Sequence, residues 1–144
     1  SVYGFIAKDS TLMRKGIYVA GTMAISATLT YALKYSINRK RPFEAYDFID
    51  KQSKGGGPSF PSGHTSNAFA TATATAMIFA FPQWYVAVPV FSWAGAVGYS
   101  RMHLGVHYPS DVLVGSSVGT ESTWLGHWLN KRLFQSRTKR SKLQ

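Results

Sequence analysis

The chain has 144 residues, enough for one domain with a real core and too few for a second. It contains no cysteine, which excludes disulfide frameworks, thiolate metal sites and cysteine nucleophiles and leaves the redox compartment open. Sixteen Lys and Arg against six Asp and Glu give a formal charge of +10, which calls for an anionic partner: nucleic acid, a membrane surface or phosphorylated small molecules.

The opening Ser1-Val2-Tyr3-Gly4 lacks the basic start and apolar stretch of a secretory signal. It also lacks an initiating methionine and reads as the start of a mature or trimmed fragment. The first apolar block, about 16–33, is uncharged between Lys15 and Lys34. Its Ala, Thr, Met, Ile and Leu predict a helix whose small side chains pack closely on neighbours, ended by Asn38 and Pro42. The polar connection that follows, about 43–59, carries Asp47, Asp50, Lys51, Lys54 and Gly55-Gly56-Gly57. A connection this long is expected to be a functional lid, given its place just before Pro61-Ser62-Gly63-His64.

Residues 65–100 contain no charged side chain, and Pro82-Gln83-Trp84 divides them into a hairpin of antiparallel helices. The Ala/Thr run over 70–76 has a strand-like period of two. It reads as helix, because alanine is the strongest helix former and threonine bonds back to the preceding turn. The last helix is predicted to open near Pro109 and to run toward Arg132, proline being suited to the first helical position. The sequence therefore predicts an all-α protein: a compact helical bundle of about five helices in a single domain over 1–134, with a basic tail over 135–144. That tail, with Arg137, Lys139, Arg140 and Lys142, reads as solvated, with peripheral contact to anionic lipid as the second reading.

A bilayer span needs about 20 mostly apolar residues. The block over 16–33 and the second hairpin arm approach that length. The run from Gly115 to Thr123 is rich in Gly, Ser and Thr, and the first arm is rich in Thr; both argue instead for the buried core helices of a soluble bundle. An integral membrane protein is on this ground the lesser expectation.

Three clusters carry chemistry. In Ser100-Arg101-Met102-His103-Leu104-Gly105-Val106-His107-Tyr108-Pro109-Ser110-Asp111, Asp111 falls in the first turn of the last helix, facing back toward His107. A carboxylate on one ring nitrogen fixes the tautomer and leaves the other as a lone-pair nucleophile. Taken alone the pair would be a helix cap with a packed imidazole. Arg101 adds a guanidinium suited to phosphate oxygens, and Lys34 and Arg41 add two more cations. With Pro42 ending the helix, Arg41 is expected to reach the site from the connection, while Arg39 and Lys40 read as a solvated basic patch. Pro61-Ser62-Gly63-His64 stands just before a helix, where free N–H groups form an anion site. There Gly63 permits close approach, Ser62 offers a hydroxyl and His64 a general acid. His103 and His107 have a ligand-like spacing of four, but Gly105 and the lack of spare carboxylates speak against metal. His127 reads as structural, and the dispersed aromatics offer no base-stacking platform for nucleic acid.

Lys34, six residues, Arg41-Pro42; then Pro61-Ser62-Gly63-His64; then Ser100-Arg101, five residues, His107, three residues, Asp111: this order resembles the three-part signature of the type 2 phosphatidic acid phosphatase superfamily. Bacterial acid phosphatases and vanadium haloperoxidases share that superfamily. The resemblance implies an all-helical fold and a metal-free phosphatase without cofactor, acting on phosphomonoesters or pyrophosphates through a covalent phosphohistidine. His107 would be the nucleophile, Asp111 its orienting partner and His64 the acid. Lys34, Arg41, Ser62, Gly63 and Arg101 would hold the phosphate. The chain is shorter than the six-span membrane members, so N-terminal helices are expected to be missing, and an outward-facing or periplasmic, membrane-associated setting is implied. The substrate is a phosphorylated lipid or small ester, with oligomeric state left open. The competing expectations are a vanadium haloperoxidase on the same fold and a non-catalytic module that binds anionic lipid.

Overall fold

The computed structural model describes residues 10–50, 56–79 and 83–141. Among them are four long helices and one single-turn piece: α1 (Ser10–Ile37), α2 (Pro42–Ala45), α3 (Gly63–Ile78), α4 (Trp84–His103) and α5 (Pro109–Ser141). The all-helical expectation is met. The Ala/Thr run over 70–76 is helical, with Thr71 Oγ1 bonded back to the Asn67 carbonyl at 2.8 Å. α5 runs past Arg132, because no Gly or Pro follows to stop it. Part of the predicted break, Pro82, and part of the lid, Lys51 to Gly55, lie outside the described residues.

α3 is the central element, packed against α1, α4 and α5. α3 and α4 run antiparallel: a Cβ on Gly98 would lie 3.5 Å from Thr65, and the Phe69 and Phe91 rings meet at 6.2 Å. α5 lies antiparallel to α1 as well, with Tyr18 against His127 and Thr22 against Gly126 near one end and Asp111 beside Arg39 near the other.

The interior is built from small residues. Its apolar members are chiefly alanines, with Ala70 and Ala94 fully buried, and its hydroxyls include Thr22, Ser26, Thr65, Ser66, Ser122 and Thr123. Ser66 Oγ sits between Ser26 Oγ at 2.8 Å and Thr30 Oγ1 at 2.9 Å, so these polar groups satisfy one another across α1 and α3. The large apolar side chains face outward: Trp84 is 72% exposed, Leu113 68%, Tyr99 65% and Trp124 57%. This inverts the pattern of water-soluble bundles.

The helices expected to be buried instead keep their large apolar side chains exposed. α1 is long and apolar enough to cross a membrane, and most of its residues are not buried. In the polar run over 115–123, Gly115, Gly119, Ser122 and Thr123 are buried. Gly115 and Gly119, four apart, face α3. A Cβ at Gly115 would lie 2.7 Å from the Ser62 carbonyl oxygen, and one at Gly119 would overlap that of Ser66. Small residues at this spacing let two helix backbones meet, the device by which helices associate in bilayers.

Candidate active site

The site forms where α1 and α4 end and α3 and α5 begin. Asn38 adopts φ 47° and donates its N–H to the Lys34 carbonyl at 3.0 Å, a left-handed cap that turns the chain out of α1. Lys34 stays on the helix, buried, with Nζ donating to the carbonyls of Pro58 at 2.6 Å and Pro61 at 3.1 Å. Arg41 comes from the connection, as the proline at 42 led us to expect. Its guanidinium donates to the carbonyls of Gly57, Gly56 and Val106 at 2.9, 3.0 and 3.1 Å. Among the described residues, two of its five N–H donors and one of the three on Lys34 have no protein partner. Gly56 and Gly57, in the connection expected to be a lid, serve as fixed acceptors for Arg41.

His107 lies in the loop between α4 and α5 and is buried. Its Nδ1 is 3.5 Å from Asp111 Oδ2 and 3.4 Å from Ser59 Oγ. Asp111 is fully buried in the first turn of α5, and its oxygens are well supplied with donors. Oδ2 accepts from the Tyr108 N–H at 2.9 Å and from the Ser59 hydroxyl in a short bond. Oδ1 accepts from Arg39 Nη1 at 3.0 Å. Burial alone would raise the Asp111 pKa; the bonds from His107, Ser59 and the Tyr108 N–H, with the Arg39 charge, outweigh it and hold the carboxyl below its ordinary value. Burial pushes His107 below the ordinary imidazole value, with the positive charges of Arg41 and Lys34 adding to it and the Asp111 bond opposing it. A carboxylate only accepts, so the proton of neutral His107 sits on Nδ1 and the lone pair on Nε2.

His64 opens α3 beside Gly63 and is exposed. Partial burial, then the charges of Arg101, His107, Arg41 and Lys34, lower its pKa. The first-turn N–H groups of Gly63 and His64 have no intrahelical partner, as at any helix start. Ser62 occupies the N-cap position without capping; its hydroxyl accepts from Thr65 Oγ1 at 2.9 Å. Arg101, in the last turn of α4, donates from Nε to the hydroxyl of its neighbour Ser100 at 3.3 Å.

A cavity of about 360 Å³ opens among these residues. Lys34, Arg41, Gly63, His64 and His107 line it, with Gly56 and Gly57 on one side and Thr30, Tyr31 and Asn67 extending it along α1 and α3. Of the predicted site residues, Asp111 stands behind His107, Ser62 is turned toward Thr65, and Arg101 lies off the lining, near enough to His64 to act on its charge. Two residues were missed. Ser59 gave no spacing signal, and Arg39, taken for a solvated cation, is ion-paired to Asp111. His103 is exposed and stacks on Tyr99 at 6.1 Å, apart from the cluster. Among the described residues no three His, Asp or Glu converge as a metal-ligand set.

Comparison with known proteins adds a family to this geometry. The family model described as the PAP2 superfamily matches residues 15–135. The chain belongs to the PAP2 superfamily. Within it, the chain is 30% identical over 124 residues to a lipid A 4'-phosphatase of Bacteroides thetaiotaomicron, covering 77% of this chain and 54% of that one. Among solved structures it is similar to Aquifex aeolicus LpxE, with a TM-score of 0.73, 26% identity and coverage of 87% of this chain and 72% of that one. A transmembrane PAP2-type phosphatidylglycerolphosphate phosphatase from Bacillus subtilis matches with a TM-score of 0.69 and 29% identity, over 81% of this chain and 59% of that one. The chain thus spans about half the length of the curated relative it matches. The Bacteroides and Bacillus proteins are named as phosphatases.

Proposed function

We propose that the protein is a metal-independent phosphatase of lipid-linked phosphomonoesters or pyrophosphates that works through a phosphohistidine on His107. One observation carries the reading. His107 has its Nδ1 engaged by Asp111, while the ring lines the same cavity as Lys34, Arg41 and His64. In the first step Nε2 forms a bond to phosphorus as the bond to the leaving oxygen breaks, and His64 gives that oxygen a proton. The ring becomes a cationic phosphoimidazole, whose charge Asp111 offsets. In the second step water attacks phosphorus, the N–P bond breaks, and His64 takes the water's proton. Phosphate and the alcohol leave, and both histidines return to their starting state.

The remaining donors of Lys34 and Arg41, the first-turn N–H groups of α3 and an incoming Arg101 meet the charge on the equatorial oxygens. Stabilising that charge is the larger share of phosphoryl-transfer catalysis. Ser62 and Gly63 contribute through the same helix start.

The substrate's lipid part follows from the exterior. An outer surface of Trp, Tyr, Leu and Val around a small-residue interior is supported by hydrocarbon rather than water, so the bundle is embedded, with α1 crossing the bilayer. The catalytic groups sit at the helix ends. Arg14 and Lys15 on α1 and Lys131 and Arg132 on α5 lie at the opposite end, and the orientation proposed has that end cytoplasmic and the site facing outward.

Acid-stable and acid-labile phosphate can be separated after rapid quenching with ³²P-labelled phosphatidate. The expected result is acid-labile, alkali-stable label on the wild-type chain and none on His107→Ala, with turnover lost in that variant. Full turnover by His107→Ala would remove the reading.

A further inference from the structure

We propose that Arg39 is a positioning residue of the reaction: clamped between the Tyr108 ring and Ser110, it fixes the rotamer of Asp111 so that one carboxylate oxygen stays on the His107 ring. The inference rests on the reading of His107 as the nucleophile. It starts from a residue that sequence reasoning set aside as solvated.

The Arg39 guanidinium carbon stands 3.8 Å over the centre of the Tyr108 ring, and Nη1 reaches Ser110 Oγ at 2.8 Å and Asp111 Oδ1 at 3.0 Å. Three of the four residues 108–111, all but Pro109, thus hold one side chain from the segment after α1. The backbone takes part as well. The Arg39 carbonyl accepts the Ser59 N–H at 2.7 Å, and the Ser59 hydroxyl donates to Asp111 Oδ2. Arg39 therefore grips both oxygens of Asp111, one directly and one through Ser59. It is aimed this way by Asn38, whose left-handed turn reverses the chain at the end of α1.

The need for such a grip is geometric. The terminal torsion of an aspartate is broad and two-fold, so packing alone does not decide which oxygen faces a partner. A swap or twist would loosen the contact at His107 Nδ1 and free the ring to turn its lone pair from the cavity. Arg39 does not line the cavity; it lies on the other carboxylate oxygen from the one that meets His107. A role as a phosphate ligand is thus not what its placement serves. The ionic environment of Asp111 includes Arg39 from the segment after α1, Lys34 of α1, Arg41 ahead of α2, and His107 and Tyr108 from the loop before α5. Of the cations, Arg39 alone bonds the carboxylate directly.

The test uses the full chain in detergent micelles, with p-nitrophenyl phosphate as the probe, on Arg39→Gln, Arg39→Lys and Arg39→Ala beside His107→Ala. Arg39→Gln is expected to lower kcat by about tenfold or more, a loss typical of a misdirected general base or nucleophile. KM and the vanadate inhibition constant should stay within about twofold, because the cavity lining is intact. The acid limb of kcat/KM should move to lower pH: with Arg39 gone the Asp111 carboxylate turns from the ring, and the bond that raises the His107 pKa is weakened. Arg39→Lys should recover part of kcat, and added guanidinium should raise the rate of Arg39→Ala. Wild-type kcat in Arg39→Gln, or a fall in kcat with an unmoved acid limb, would overturn the proposal. So would a rise in KM and vanadate constant alone, which would make Arg39 a phosphate ligand. If Arg39→Gln does not fold, the same limb is read on Arg39→Lys. Turnover by His107→Ala removes the nucleophile and this proposal with it; a dead His107→Ala beside an unchanged Arg39→Gln sinks the positioning role alone.

Discussion

The backbone N–H of Ser62 donates to the carbonyl oxygen of Asp111 at 3.0 Å. This bond ties the start of α3 to the start of α5, so two helix N-termini converge on the side where His107 presents its ring. Both place positive partial charge there, which suits a site that must gather anionic oxygen. The contact exists because Gly115, one turn beyond Asp111 on α5, has no side chain to hold Ser62 off. Gly115→Val should therefore lower thermal stability by about 1–3 kcal/mol, the usual cost of overpacking, and lower kcat/KM more than stability. A thermal melt beside a rate assay on the same preparation checks this. Unchanged kinetics in a destabilised variant would show that the junction serves folding alone.

Asp111→Asn retains shape but offers an N–H where a carboxylate accepted. The amide nitrogen, if it faces Nδ1, fixes the opposite tautomer and removes the lone pair from Nε2. Loss of kcat on the order of 10²–10⁴-fold is expected, with little change in vanadate inhibition. The residual activity should persist to lower pH than in the wild type, since the Asp111 bond and charge raise the His107 pKa and their loss lets it fall further.

The pH profile follows from the same groups. His107 must be neutral to attack, and its pKa is lowered; His64 must be protonated to assist departure, and its pKa is lowered too. Both limbs of kcat/KM should thus lie on the acid side of about 6.5, the ordinary imidazole value. Bound phosphate adds negative charge next to both rings and raises both pKa values. The kcat profile should accordingly sit at higher pH than that of kcat/KM, which a steady-state series from pH 4 to 9 would show.

Charge on the transferred group is met in this reading by Lys34, Arg41 and Arg101. Activity should survive EDTA unchanged, and orthovanadate should inhibit competitively. Arg41→Lys should weaken vanadate by about tenfold or more, because an ammonium cannot keep the bonds to Gly56, Gly57 and Val106 and still reach the ligand. Loss of turnover on chelation would place a metal in the reaction.

The absence of cysteine makes orientation measurable. Single substitutions Tyr46→Cys near the site and Lys131→Cys at the far end of α5 introduce one thiol each on exposed positions. In intact cells a membrane-impermeant maleimide should label Tyr46→Cys and spare Lys131→Cys. The reverse pattern would turn the site to the cytoplasm.

Much of the site was legible because its chemistry needs particular side chains in a fixed order. Lys34, Arg41, His64 and His107 each announce a charge or a proton, and the cavity brings all four together. Ser59 and Arg39 carried no such announcement. One is an ordinary hydroxyl ahead of a proline turn, and the other one of three cations in a row whose direction depends on the turn at Asn38. The helices were legible from alanine content and uncharged length. Their outward faces were not, because the Gly/Ser/Thr run of α5 and the threonines of α3 were read as marks of a soluble bundle. Here Gly115, Gly119 and Gly126 lie on the buried face of α5 while Leu113, Trp124 and Trp128 lie outside. Period and hydropathy alone do not say which face is which; small residues repeating at four and seven do, once close backbone approach is considered.

The inverted packing also divides labour within the fold. What holds Lys34, Arg41, His107 and Asp111 in place is backbone proximity, hydrogen bonding and the Arg39–Asp111 ion pair; what suits the molecule to its surroundings is a coat of large side chains on the outer faces of the helices. The coat is in principle replaceable. A redesigned exterior, with Trp84, Val88, Trp93, Leu113 and Trp124 exchanged for charged and polar residues, would be a water-compatible chassis carrying the same reaction centre.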